Sequence, residues 1–303
     1  MTNYAASFLA YLKDRGFSPN TIERYGRVLR AFGEFLEGHM GTAGTNPQSI
    51  DKAAVIAFLR SNGGNGTEPS GIVWNGRLAC LRTFFGYLYR EEQVAENPAV
   101  KVEFSRPVSR DPVYPTYPEY EQLVAAVGQH GHPFYKDRDT AIIVAFFHTG
   151  LRLSELVSLD VHQVDLLCET FRAVLRKGGN VRDVHFNGEV TRVLRPWLTR
   201  RRARGFPKDG PLFVSDRRKR ISPRTVERLV VRYSALAGLS KKLTPHTIRH
   251  GTATELLRRG EDIRVVSEVL NHSNLNTTKR YTHLVEGAEK RAVDRLARDA
   301  PPQ

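Results

Sequence analysis

Cysteine is scarce in this chain, and its scarcity excludes one class of fold. Only two cysteines, Cys80 and Cys168, occur among 303 residues, and they fall in different predicted domains. A small fold stapled by disulfides is therefore not expected, and a reducing compartment is.

Long apolar runs are absent as well. The most apolar stretch, residues 141–147, spans seven residues, whereas a membrane-crossing helix needs roughly 20. It is instead typical of a buried helix. The N-terminus lacks a basic segment followed by an apolar run, so no secretory signal is expected. The sequence predicts a cytoplasmic, nucleoid-associated protein with no membrane partner.

Acidic residues are too few to balance the basic ones. The chain has 46 Lys and Arg against 32 Asp and Glu, a formal charge of +14. Such a charge indicates a polyanionic partner, most often nucleic acid, although ribosomal, membrane-surface and heparin-binding proteins share it. Residues 1–110 hold 13 basic and 10 acidic residues, and the remainder holds 33 and 22. The stronger positive field therefore belongs to the second part.

The pattern of apolar residues predicts a mainly α fold with a small β-hairpin in its C-terminal domain, that is, α+β. Residues 1–98 have apolar positions spaced by three or four, as in helices near 4–15, 18–36, 49–61 and 78–88. Residues 117–303 combine further helices, including ones near 153–158 and 246–259, with two short strands that flank the turn Gly178-Gly179-Asn180.

A proline-rich linker over residues 99–116 separates the two predicted domains. Prolines at 98, 107, 112, 115 and 118 prevent a continuous helix. Arg106 and Arg110 lie within this segment. Two interpretations remain open: a solvated hinge, or a basic tether that lies against a DNA backbone.

The segment Thr149-Gly150-Leu151-Arg152-Leu153-Ser154-Glu155-Leu156 contains the first candidate site residue. The guanidinium of Arg152 is a planar fork that matches two phosphate oxygens and stays charged at any working pH. Glu155 comes three residues later on the same side of a helix and could orient Arg152. The alternative is a surface ion pair of little energetic value.

A second candidate segment is Thr244-Pro245-His246-Thr247-Ile248-Arg249-His250. Threonine followed by proline predicts a helix start. His246, Arg249 and His250 then share one face of the first turn, where free N–H groups also favour an anion. A zinc site is the alternative, but Thr247 stands where a zinc protease has glutamate, and Arg249 would repel the cation. We therefore predict no metal, and assign His250 to packing around the site.

These segments resemble the tyrosine recombinase (phage integrase) family, especially its short Xer-like members. The resemblance extends to Arg176-Lys177-Gly178-Gly179, Leu270-Asn271-His272-Ser273 and Tyr281-Thr282-His283. It implies a SAM-like, helical DNA-clamping domain and, after it, a recombinase catalytic domain. Three departures from the family pattern are Arg176 in place of a glycine before the lysine, Asn180 in place of a further lysine after it, and Asn271 in place of a glycine before the histidine. The implied catalytic residues are Arg152, Lys177, His246, Arg249, His272 and Tyr281.

The resemblance also implies a reaction. Tyr281 would attack a DNA phosphodiester and form a 3′-phosphotyrosyl bond, while Arg152 and Arg249 bind the non-bridging oxygens. Lys177 would protonate the departing 5′ oxygen. No cofactor and no small-molecule substrate are implied. The implied partner is a double-stranded DNA recombination site, bound by a homotetramer, or by a heterotetramer with a paralogue, that exchanges strands through a Holliday junction.

Several basic residues are predicted to contact DNA phosphates and supply salt-dependent affinity, although such runs can also be solvated loops. They are Arg106, Arg110, Arg200, Arg201, Arg217, Arg218, Lys219, Lys241 and Lys242. Two other functions stay open: relaxation of DNA as by a type IB topoisomerase, and non-catalytic DNA-binding regulation. The sequence also does not separate chromosome or plasmid dimer resolution from integration and excision of a mobile element.

Overall fold

The computed structural model describes residues 2–41, 46–61, 69–106, 113–175 and 179–270. Its contacts divide the chain into two compact units, Met1–Arg110 and Asp111–Gln303. Within the described ranges, no helix has the length and apolar character that a membrane span requires.

The described part of the first unit is helical. The second helix begins after Ser18, whose hydroxyl accepts a hydrogen bond from the amide of Thr21 at 3.3 Å, and Pro19 occupies its first turn. Its buried residues Tyr25, Leu29 and Phe32 recur at the predicted spacing and face the other helices. The helices are α1 (Thr2–Asp14), α2 (Pro19–Met40), α3 (Lys52–Arg60) and α4 (Gly71–Arg90), with a 3-10 turn at Pro47–Ser49.

The first half of the predicted linker is folded against α4. Arg82 donates hydrogen bonds to the carbonyl oxygens of Ala99 at 3.1 Å and Val102 at 2.5 Å, and both of these residues are buried. Asn75 and Ser105 exchange two hydrogen bonds of 2.8 Å. The prolines thus indicate where a helix cannot continue, but the chain stays on the first unit beyond that point because its carbonyl oxygens are bound there.

The second unit is built around α6, whose residues 141–147 are almost completely buried, as their apolar run predicts. The predicted fold class, mainly α with a small antiparallel sheet, is confirmed. The helices of this unit are α5 (Tyr117–His130), α6 (Lys136–Thr149), α7 (Leu153–Ser158), α8 (Gly188–Ala203), α9 (Pro223–Leu236), α10 (Pro245–Arg258) and α11 (Ile263–Leu270). The strands β1 (Val164–Asp165), β2 (Thr170–Leu175) and β3 (Val181–His185) pair in that order.

Candidate active site

Arg152 lies immediately before α7, where Glu155 holds it by two separate bonds. One carboxylate oxygen of Glu155 accepts from the backbone amide of Arg152 and the other from its guanidinium, both at 2.8 Å. The side chain of Glu155 is only 1% exposed, whereas that of Arg152 is 31% exposed. The buried carboxylate thus accepts one bond from the backbone and one charge-assisted bond from the side chain. It holds the guanidinium in place far better than an exposed ion pair would.

Arg249 directly follows the first turn of α10 and is buried, with 4% exposure. Its guanidinium donates to the carbonyl oxygens of Gly150 and Leu270, which belong to the C-terminal ends of α6 and α11. The turn itself is formed by Thr244, whose hydroxyl accepts from the amide of Thr247 at 3.2 Å. Arg249 thus ties three helix ends together at one point.

His246 lies near both arginines. The residue keeps contact with solvent, yet partial desolvation of its ring, and then the positive charges of Arg249 and Arg152, lower its pKa below the usual value. The ring of His250 packs against it, with 4.3 Å between centroids. A lowered pKa favours the neutral imidazole near pH 7, and a neutral imidazole can accept a proton.

Gly150 permits the helix ends to approach each other. Its φ of +59° is left-handed, and a Cβ added there would lie 2.5 Å from a methyl group of Leu270. Thr252 of α10 strengthens the same junction by donating to the carbonyl oxygen of Phe147 at 2.8 Å. No role was predicted for Gly150 from the sequence, although a glycine at a helix C-terminus, two residues before Arg152, is the signal that could have found it.

The structure therefore brings Arg152, His246 and Arg249 together with their supports Glu155 and His250. Lys177, His272, Tyr281 and Arg110 lie outside the described residues. In the sequence, Lys177 comes two residues after the end of β2, and His272 comes two residues after the end of α11. Within the described ranges, no group of three or more His, Cys, Asp or Glu side chains could hold a metal ion.

Arg201 does not meet the expectation of a DNA contact, and that prediction is wrong. It is 3% exposed and donates to the carbonyl oxygens of Pro211 at 3.1 Å and Pro207 at 2.6 Å. Its role is to hold the loop after α8. Arg218 supports the same loop, because its guanidinium lies 4.6 Å from the ring centroid of Phe206.

Two other predicted DNA contacts are partly engaged within the protein. Arg200 pairs with Asp137 at 2.5 Å, and Lys241 pairs with Glu119 at 2.9 Å. Both cations remain more than one-third exposed, so a phosphate can still approach them. The remaining described residues of the predicted set are exposed: Arg106, Arg217, Lys219 and Lys242.

Two family models match this chain: residues 116–287 match the phage integrase family, and residues 5–92 match its N-terminal SAM-like domain. The tyrosine recombinase XerC of Thermodesulfovibrio yellowstonii is 32% identical over 293 residues, which cover 94% of this chain and 93% of the relative. The XerC of Azotobacter vinelandii is 34% identical over 283 residues, covering 92% and 90%.

Solved structures share the fold. XerH recombinase bound to its palindromic difH substrate aligns with a TM-score of 0.73 at 21% identity, covering 90% of this chain and 78% of that one. A lambda integrase dimer (residues 75–356) bound to a core site aligns with a TM-score of 0.70 at 17% identity, covering 91% and 96%. From the family models and the XerC relatives, the chain belongs to the phage integrase family and is a tyrosine recombinase.

Proposed function

We propose that this recombinase cleaves and rejoins a specific DNA site with Tyr281 as the nucleophile. The observation that carries the proposal is the convergence of Arg152, His246 and Arg249 at the junction of α6, α7 and α10. A topoisomerase-like or regulatory function is not favoured, because the XerC relatives match this chain over almost its whole length.

The two arginines would bind the non-bridging oxygens of the scissile phosphate. Both guanidinium groups are held in place before DNA arrives, Arg152 by Glu155 and Arg249 by two backbone carbonyl groups. Donors that are already oriented need no rearrangement when negative charge develops in the transition state. The positive N-terminal end of the α10 helix dipole would add to the same field.

Proton transfer would be divided among the remaining residues. A phenol ionises near pH 10, so Tyr281 needs positive charge and a proton acceptor nearby to attack at neutral pH. The neutral imidazole of His246, with assistance from His272, would accept or share that proton. Lys177 would protonate the 5′ oxygen as it departs. The phosphotyrosyl bond conserves the energy of the broken link, so we propose no ATP and no metal cofactor.

The partner would be a double-stranded recombination site, as in the XerH structure bound to difH and the lambda integrase dimer bound to a core site. The helical first unit would clamp the DNA, and the second would perform the chemistry. We propose that four protomers, identical or of two paralogous kinds, act on two sites in the cytoplasm and exchange strands through a Holliday junction. Dimer resolution and mobile-element integration would use this same chemistry.

The test is covalent capture. The protein is incubated with nicked fragments of host DNA in EDTA, the reaction is stopped with SDS, and the DNA attached to protein is sequenced. Tyr281→Phe should abolish the adduct while DNA binding persists. The matched control Tyr89→Phe changes an exposed tyrosine of the first unit and should leave the adduct intact. An adduct that persists in Tyr281→Phe, or that forms only after a divalent metal is added, would contradict the proposal.

A further inference from the structure

The hairpin formed by β2 and β3 contains an irregular step. Pairing is regular at both ends of the hairpin, but Arg172 and Ala173 of β2 together face Asp183 alone on β3. This arrangement is a β-bulge, which bends the strand that contains the extra residue and redirects the chain beyond it. Ala173 has a φ of +49°, a left-handed conformation that is strained for alanine and that persists only when its surroundings enforce it.

Two side chains satisfy the backbone groups that the bulge leaves unpaired. The carboxylate of Asp183 accepts from the amide of Ala173 at 2.8 Å. The side-chain amide nitrogen of Gln163 donates to the backbone carbonyl oxygens of Arg172 and Ala173, each at 3.0 Å. Gln163 is itself oriented, because its oxygen accepts from the amide of Asp160 at 2.9 Å.

The bulge is also anchored to the preceding turn. The guanidinium of Arg172 donates to one carboxylate oxygen of Asp165 at 2.6 and 3.1 Å. That carboxylate accepts through its other oxygen from the amides of Leu167 and Cys168 at 3.0 and 2.9 Å. The backbone direction at the bulge is thus fixed from β1, from β3 and from the turn between β1 and β2.

This anchoring matters because β2 ends at Leu175, two residues before Lys177. We infer that Gln163 and Asp183 are positioning residues that hold the bulge and thereby direct the lysine-bearing hairpin toward the departing 5′ oxygen. The inference rests on the proposed role of Lys177 as the general acid. Asp183 is exposed and Gln163 half-buried, so their removal should disturb the direction of the hairpin more than the stability of the fold.

The experiment compares two DNA substrates in single-turnover cleavage. One is normal, and in the other a sulfur atom replaces the 5′ oxygen at the scissile phosphate. A thiol has a pKa near 8.5 and so leaves without needing a proton, whereas an alkoxide needs a general acid, which contributes typically 10²–10⁴-fold. Gln163→Ala and Asp183→Ala should each slow cleavage of the oxygen substrate by about 10-fold or more and leave the sulfur substrate at the wild-type rate.

Matched controls separate a change in the direction of the hairpin from a general loss of folding or DNA binding. Asp183→Asn keeps an oxygen that can accept from the amide of Ala173, so it should restore the rate. His162→Ala, an exposed neighbour of Gln163, should change neither substrate. Melting temperature and DNA affinity should stay constant in all four variants.

Lys177→Ala, tested in parallel, separates the role of the lysine from the role of the bulge. If the sulfur substrate does not rescue Lys177→Ala, the proposed role of the lysine fails. If it does rescue that variant, but Gln163→Ala and Asp183→Ala cleave the oxygen substrate normally, the positioning role alone is refuted. Equal slowing of both substrates by the bulge variants would refute it as well.

Discussion

Gly150→Ala should destabilise the second unit by an amount that can be worked from two contributions. Alanine in a left-handed conformation costs about 1–2 kcal/mol, and Gly150 has a φ of +59°. The added Cβ would lie 2.5 Å from a methyl group of Leu270, which is fully buried and has little room to move. Overpacking of this kind costs typically about 1–3 kcal/mol, so the free energy of unfolding should fall by about 2–5 kcal/mol.

Urea denaturation of a matched pair separates the two contributions. Gly238 has a φ of +70° and nothing within 4 Å of its added Cβ, so Gly238→Ala should lose only the conformational part, about 1–2 kcal/mol. Gly150→Ala should also slow DNA cleavage under conditions where it stays folded, because displaced helix ends shift the carbonyl groups that hold Arg249. Equal destabilisation of both variants, with normal cleavage, would refute the steric reasoning.

Three further predictions concern charge. Arg201→Gln should lower the free energy of unfolding by about 1–3 kcal/mol, because the buried Arg201 side chain loses its hydrogen bonds to two partly buried or exposed carbonyl groups. The neighbouring residue Arg202 is exposed. Arg202→Gln should leave stability unchanged and reduce the slope of log DNA affinity against log salt concentration by about 0.9. An NMR titration should give the His246 ring a pKa below the ordinary value of about 6.5. Arg152→Ala should raise that pKa by removing a positive charge.

The sign of the pH effect is set by the direction of that shift. The pKa of His246 is lowered in the folded protein, so its imidazole stays neutral, and cleavage stays active, until the pH falls through that lowered value. The pH at which the His246 ring gains its proton, followed by NMR, should therefore move upward in Arg152→Ala. A His246 that titrates at or above its ordinary pKa would contradict the desolvation of its ring and the effect of the two nearby positive charges. A fully stable Arg201→Gln would contradict the structural role of the Arg201 hydrogen bonds.

Local signals were sufficient to predict much of the fold. The helix starting at Pro245 could be predicted because Thr244 and Pro245 are a cap and first-turn pair, and the structure begins the helix there. The predicted helix at 153–158 matches α7. The relation between Arg152 and Glu155 could be predicted because it spans a single helical turn.

Tertiary hydrogen bonds to backbone oxygens could not be predicted from residue types. Arg201 sits in a basic run that has the composition of a DNA-binding surface, and only the returning loop with Pro207 and Pro211 explains its burial. The start of α4 at Gly71 was missed for another reason, since Ile72 and Val73 are exposed there and extend no apolar stripe. The bulge at Ala173 was missed because alanine gives no sign of a left-handed backbone.

Three arginines donate hydrogen bonds from their side chains to backbone carbonyl oxygens: Arg82, Arg201 and Arg249. Because every amino acid has the same backbone carbonyl group, the residues that accept these hydrogen bonds can be substituted as long as the backbone conformation is kept. The arginines cannot be replaced by lysine, since a single ammonium group does not reproduce a rigid, planar group with several donors. An engineered variant in which arginines are exchanged for lysines, to change expression or solubility, should therefore keep these three arginines. Such an exchange preserves the net charge but not these hydrogen bonds.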